Sequence, residues 1–130
     1  MEFVTGGAYN GKGKWVEEEW IDRHQEYTWI NVKTQEAVIP DTNQLVLENI
    51  EFISKETEEG WAWLEPFITW ENQHPQRRLL LIGTDMTKGM VPLEKSDRIW
   101  RDRTGFLYQM VMEEAEHAYV VWFGIAEQLK

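Results

Sequence analysis

Apolar positions along this chain fall into short unbroken runs separated by longer stretches with helical spacing. The runs are Tyr27-Thr28-Trp29-Ile30-Asn31-Val32, Leu45-Val46-Leu47, Leu79-Leu80-Leu81-Ile82 and Tyr119-Val120-Val121-Trp122-Phe123, with a shorter β-like segment, Glu2-Phe3-Val4-Thr5, at the start. Strands that are apolar at successive positions bury both faces, as strands of a parallel sheet do. Between the runs, residues 58–72 place Trp63, Phe67 and Trp70 at i, i+4 and i+7, which predicts a helix with one buried stripe. Further helical stretches are expected over 14–21 and 95–116. Strands alternating with helices predict an α/β fold, a mainly parallel sheet with helices on both faces. Residues 33–42 and 72–78 read as polar, proline-bearing loops.

The first strand runs into Gly6-Gly7-Ala8-Tyr9-Asn10-Gly11-Lys12-Gly13, and helical spacing begins directly after it. In the phosphate-binding pattern G-x-x-x-x-G-K-[ST], Gly6, Gly11 and Lys12 are in register. Such a loop turns its backbone N–H groups around phosphate oxygens while the lysine reaches the outer phosphates. A helix starting at Lys12 adds the positive end of its dipole, worth about 0.3–1 kcal/mol. The hydroxyl that would reach Mg²⁺ is missing, because Gly13 occupies its position. Phosphate binding is therefore expected with weak Mg²⁺ dependence, and the loop type is that of a P-loop nucleotide-binding protein. The dinucleotide pattern G-x-G-x-x-G occurs in no register. In open α/β sheets ligands bind beyond the carboxyl ends of strands, which predicts a crevice formed by residues 6–12, those after Leu47 and those after Ile82.

Length and charge narrow the partners. At 130 residues the chain is expected to be one shortened domain spanning 1–130. Its formal charge of −10, from 13 Lys plus Arg against 23 Asp plus Glu, opposes binding to nucleic acid or to an anionic membrane, whose affinity comes from neutralised phosphates. A single nucleotide is compatible with that charge, since a backbone nest and one lysine act within a Debye length of about 8 Å. The absence of cysteine excludes disulfides and thiolate chemistry. With no apolar run approaching 18 residues and no leader pattern, the cytoplasm is the expected compartment.

The two ends of the chain resemble a known family. Gly83-Thr84-Asp85-Met86-Thr87-Lys88-Gly89-Met90-Val91-Pro92 follows the pattern T-N-E-V-G-x-G-I-V-P, and Trp100-Arg101-Asp102-Arg103-Thr104-Gly105-Phe106-Leu107-Tyr108-Gln109 follows F-R-D-x-x-G-x-x-N-Q. The tail Phe123-Gly124-Ile125-Ala126-Glu127-Gln128-Leu129-Lys130 is similar to S-G-I-x-x-x-L-K, and the opening to T-G-G-x-x-S-G-K-S. These segments, about half the chain, resemble the bifunctional adenosylcobinamide kinase and adenosylcobinamide-phosphate guanylyltransferase family of cobalamin biosynthesis. The resemblance implies ATP or GTP as ligand, phosphates held by Lys12 and the backbone of residues 6–13, Mg²⁺ at Glu48, and a homo-oligomer. It leaves a corrinoid open as a second partner. The family's guanylylated histidine lies in an Arg-rich helix between the second and third strands. Here that interval, residues 33–44, holds neither histidine nor arginine, and His24, His74 and His117 fall elsewhere, so guanylyl transfer is expected to be lost. Asp85 stands where the family has glutamate and Thr87 where it has glycine, which leaves kinase activity undecided.

Two other readings stay open at this stage. One is a non-catalytic nucleotide sensor or partner subunit. The other treats the 8 tryptophans as an aromatic module for a sugar or flat corrinoid, with Trp15 and Trp20, near the loop, as the candidate ligand surface. Glu113 and His117, four apart, share a face if the last helix includes both, but such a pair lacks a third metal ligand.

Overall fold

The computed structural model describes residues 1–86 and 94–130. Six strands, β1 (Glu2–Gly6), β2 (Thr28–Asn31), β3 (Gln44–Glu48), β4 (Arg78–Thr84), β5 (His117–Trp122) and β6 (Ile125–Gln128), form one sheet in the order β2-β3-β4-β1-β5-β6. The first five are parallel; β6 is antiparallel to β5. All the expected runs are strands. The tail adds β6, reached through Phe123 and Gly124 at φ 49° and 77°, the left-handed pair that a two-residue hairpin turn requires.

Side chains alternate between the faces. Phe3, Leu45, Leu47, Leu79, Leu81 and Ala118 point to one core, and Val4, Val46, Leu80, Ile82 and Val121 to the other. The first core is covered by α2 (Ile53–Glu56), which continues a 3₁₀ turn at Ile50–Phe52, and by α3 (Gly60–Asn72) and α4 (Lys95–Glu114). The second is covered by α1 (Lys12–Trp15), continued by a π-helical turn, Val16–Trp20, closed by Ile21 N–H to the Val16 carbonyl at 3.0 Å. Val16 and Trp20 thereby both meet the sheet. Helices thus cover both faces of a mostly parallel sheet, as the periodicity predicts.

Three expectations need correction. The stripe on α3 buries Phe67, Trp70 and Leu64, but Trp63 stays half-exposed. Pro66 lies inside this helix on its exposed side, where the carbonyl released by the missing N–H can meet water. The last helix ends at Glu114, and His117 opens β5, so Glu113 and His117 do not share a helix face. Trp20 is a core residue, with the Arg78 guanidinium 4.0 Å above its ring and its indole N–H donating to Glu2. Trp15 packs against Tyr119 with ring centroids 5.0 Å apart. Neither forms an open ligand platform.

The chain leaves β1 through Gly6, at φ 146°, where a Cβ would lie 2.4 Å from the Val121 carbonyl oxygen. Gly105, inside α4, faces open space. Gly6→Ala should cost about 2 kcal/mol or more from strain and the clash, whereas Gly105→Ala should stabilise by about 0.5–1 kcal/mol. Urea denaturation of the two variants checks both signs, and an unchanged midpoint for Gly6→Ala would contradict the close approach.

Candidate functional site

The connections after β1 and β4 leave these neighbouring strands toward opposite faces, α1 on one and α4 on the other. A crevice opens at such a reversal. It measures about 480 Å³ and is lined by Ala8 through Gly13 from the first loop and the start of α1, Glu48 at the end of β3, Glu51 just after it, and Thr84 at the end of β4. The three strand ends singled out from sequence therefore converge on one space.

The first loop is held open by its neighbours. Gly11 takes φ 87° and leads into α1; Tyr9 takes φ 60° and is fully exposed at the loop tip. Gly124 N–H in the β5–β6 turn donates to the Asn10 carbonyl at 2.8 Å, and Asp85 N–H donates to the Gly6 carbonyl at 2.9 Å. The loop is thus braced from both sides of β1. Since α1 proper has only four residues before the π turn, the dipole contributes little here, and an anion entering this loop would meet chiefly its amides and Lys12.

Lys12 is 9% exposed, and its ammonium donates to the Gly7 carbonyl at 2.8 Å and to the Gly6 carbonyl at 3.4 Å. Burial pulls its pKa below the ordinary lysine value, opposed by the charges of Glu51 and Glu48. A phosphate entering the loop would favour the ammonium form. Glu48 lies across the crevice, accepting from the Trp29 indole N–H at 3.2 Å. A Cβ at Gly13 would lie 3.5 Å from Glu48 Oε2 and 3.7 Å from Trp29 Cζ2, ordinary contact distances. Position 13 therefore faces Glu48, as a hydroxyl-plus-carboxylate metal site requires, but glycine offers no oxygen. A Mg²⁺ ion here would have one protein carboxylate and would need waters or ligand oxygens for the rest, a set Mg²⁺ accepts. Among the described residues no group of three or more His, Asp or Glu forms a metal cluster.

Sequence reasoning missed Glu51. It is 5% exposed, its carboxylate accepts from Thr84 N–H at 3.2 Å, and burial raises its pKa in spite of hydrogen bonds to Thr84 and the attraction of Lys12. Tyr108 donates to the Thr84 carbonyl at 2.8 Å, and its own pKa is raised by burial and by Glu51. Gly83 makes this possible, since a Cβ there would lie 2.4 Å from the Tyr108 hydroxyl oxygen. The one signal available was the resemblance across 100–109, which contains Tyr108. Sequence also missed Lys33, which lines the crevice beside Phe52. Thr87 and the rest of the family-like segment up to Pro92 lie outside the described residues.

All three histidines lie at the opposite end of the sheet. His117 pairs with Glu2 at the start of β1, His74 precedes β4, and His24 follows Asp22, whose amide donates to the Gln44 side chain at the start of β3. No helix among the described residues is long and apolar enough to cross a membrane. No protein-family model and no curated protein matches the chain.

Because Glu51 is buried with its pKa raised, the protonated form is the better fit to the fold. Stability from this group is present below the ordinary value of 4.5 and lost as pH rises through the raised folded value. Glu51→Gln keeps an acceptor for Thr84 and removes that loss. The variant should be more stable than the parent at neutral pH, with the difference closing as pH falls below 4.5. Urea midpoints between pH 4 and 8 read this directly, and a variant less stable at neutral pH would show that the Lys12 attraction outweighs desolvation.

Proposed function

We propose that the crevice binds the phosphates of a purine nucleoside triphosphate, ATP or GTP, in a P-loop-type domain that is a reduced relative of the adenosylcobinamide kinase family. The observation that carries the reading is the braced loop of residues 7–13, with the buried Lys12 ammonium in its mouth and the Glu48 carboxylate opposite. Phosphoryl transfer needs mainly positioning and charge stabilisation, which loop amides, Lys12 and Mg²⁺ beside Glu48 would supply. Guanylyl transfer through a covalent histidine is not part of the proposal: a nucleophile must lie within about 3.2 Å of its activating partner and in line with the phosphate, and the three histidines sit at the other end of the strands. The aromatic-module alternative drew on Trp15 and Trp20 as its ligand surface, and neither presents an open face, Trp20 lying in the core and Trp15 packing against Tyr119.

ATP or GTP at 100 times Kd should raise native stability by about 2.7 kcal/mol, seen as a higher melting temperature, and Lys12→Ala should remove the effect. A melting curve unmoved by millimolar ATP and GTP would remove the nucleotide reading altogether.

Affinity of the parent protein should change little between excess Mg²⁺ and excess chelator. Gly13→Ser, which the 3.5 Å clearance to Glu48 accommodates, should make binding depend on Mg²⁺. Titration calorimetry with and without the metal separates the two, and strong Mg²⁺ dependence in the parent would show that another group replaces the hydroxyl.

A further inference from the structure

Lys33 and Phe52 line a second cavity as well as the phosphate crevice. This one measures about 620 Å³ and lies between the loop after β2 and the helices α2 and α3. Its volume falls within the roughly 300–1,000 Å³ of small-molecule sites. We propose that it is the site of a second small molecule, bound beside the nucleotide's phosphates, with an apolar or aromatic body and no net negative charge. The proposal rests on the nucleotide reading for what occupies the crevice next door.

The chemical class follows from the walls. Ala37 and Ile39 come from the loop, Ile53 from α2, and Trp63, Pro66 and Phe67 from α3. Phe67 and Ile53 are buried, and the Trp63 ring is held against Phe67 with centroids 5.4 Å apart. The fully buried stripe expected on α3 breaks at Trp63 because this side of the helix faces the cavity. A preformed aromatic wall suits a flat or aliphatic body, since its apolar surface is already partly shielded from water. The charged lining consists of one ammonium, Lys33, and two carboxylates, Glu36 and Glu56. The Lys33 ammonium sits 5.2 Å from the Phe52 ring centroid, on the boundary between the cavities. An anionic ligand would face two carboxylates against one ammonium in the lining, whereas a hydroxyl or ammonium group finds acceptors. Lys33 lies where the polar end of such a ligand would approach the phosphates.

Three indoles of one body and different charge test the proposal: tryptophol, tryptamine and indole-3-acetate, titrated into ¹⁵N-labelled protein with and without the non-hydrolysable nucleotide AMP-PNP. Tryptophol and tryptamine should shift the amides of Ala37, Ile39 and Phe67, indole-3-acetate should bind at least several-fold more weakly, and AMP-PNP should not displace them. Ala37→Trp, or Ile39→Trp should the first variant fold poorly, should abolish these shifts while AMP-PNP affinity stays within about twofold. The proposal is overturned if no indole shifts these amides at millimolar concentration, if the anion binds as well as the others, if AMP-PNP competes, or if filling the cavity leaves the shifts intact. Indole shifts in a protein that binds no AMP-PNP would support the pocket and remove only the nucleotide reading.

Discussion

The carboxyl edge of this protein is organised by the close backbone approach at Gly6. β1 is hydrogen-bonded on both sides, to β4 and to β5, and at its last residue the chain must turn while β5 still runs alongside. A side chain has no room there, with the Val121 carbonyl oxygen 2.4 Å from where a Cβ would be. The same residue's carbonyl accepts from Asp85 N–H after β4 and from the Lys12 ammonium. One glycine thereby ties the ends of three strands to the start of α1, and the shape of the crevice follows from that tie.

Charge is concentrated where the backbone converges. The buried ammonium of Lys12 lies within electrostatic reach of the carboxylates of Glu48 and Glu51, in a chain whose overall charge is −10. The three groups have unlike surroundings. Glu51 is buried in the crevice wall beside Thr84 and Tyr108, while Glu48 is half-exposed beside Trp29. Desolvation therefore disfavours charge on Glu51, leaving Glu48 as the carboxylate open to a ligand or metal. A polyanion would meet the wider acidic surface, but one triphosphate would meet mainly the loop amides and Lys12, because screening limits the reach of the rest to about 8 Å.

The two adjoining cavities share a wall. The chain crosses from β2 to β3 by a long loop lying over α2 and α3, so the space beneath it is roofed by Ala37 and Ile39 and floored by aromatic side chains. Phe52 and Lys33 form the partition from the crevice.

Strand positions, the two-sided burial of the sheet and the glycine-rich turn between β1 and α1 were all legible in the sequence, because each depends on residues close together in the chain: unbroken apolar runs, a period of 3.6, and glycines spaced for a tight turn. The positions of Lys12, Gly13 and Glu48 around one crevice could be anticipated as well, since parallel strands put their carboxyl ends together. Other features depended on partners distant in sequence. Glu51 gained its buried, proton-favouring surroundings from Thr84 and Tyr108, which are 33 and 57 positions away by their numbers. Trp20 became core rather than ligand surface because Arg78 and Glu2 met its ring and N–H. β6 formed because a left-handed Phe123-Gly124 turn returned the tail to β5. Local pattern sets what a segment can become, but burial and charge at a given side chain are decided by which remote segments fold against it.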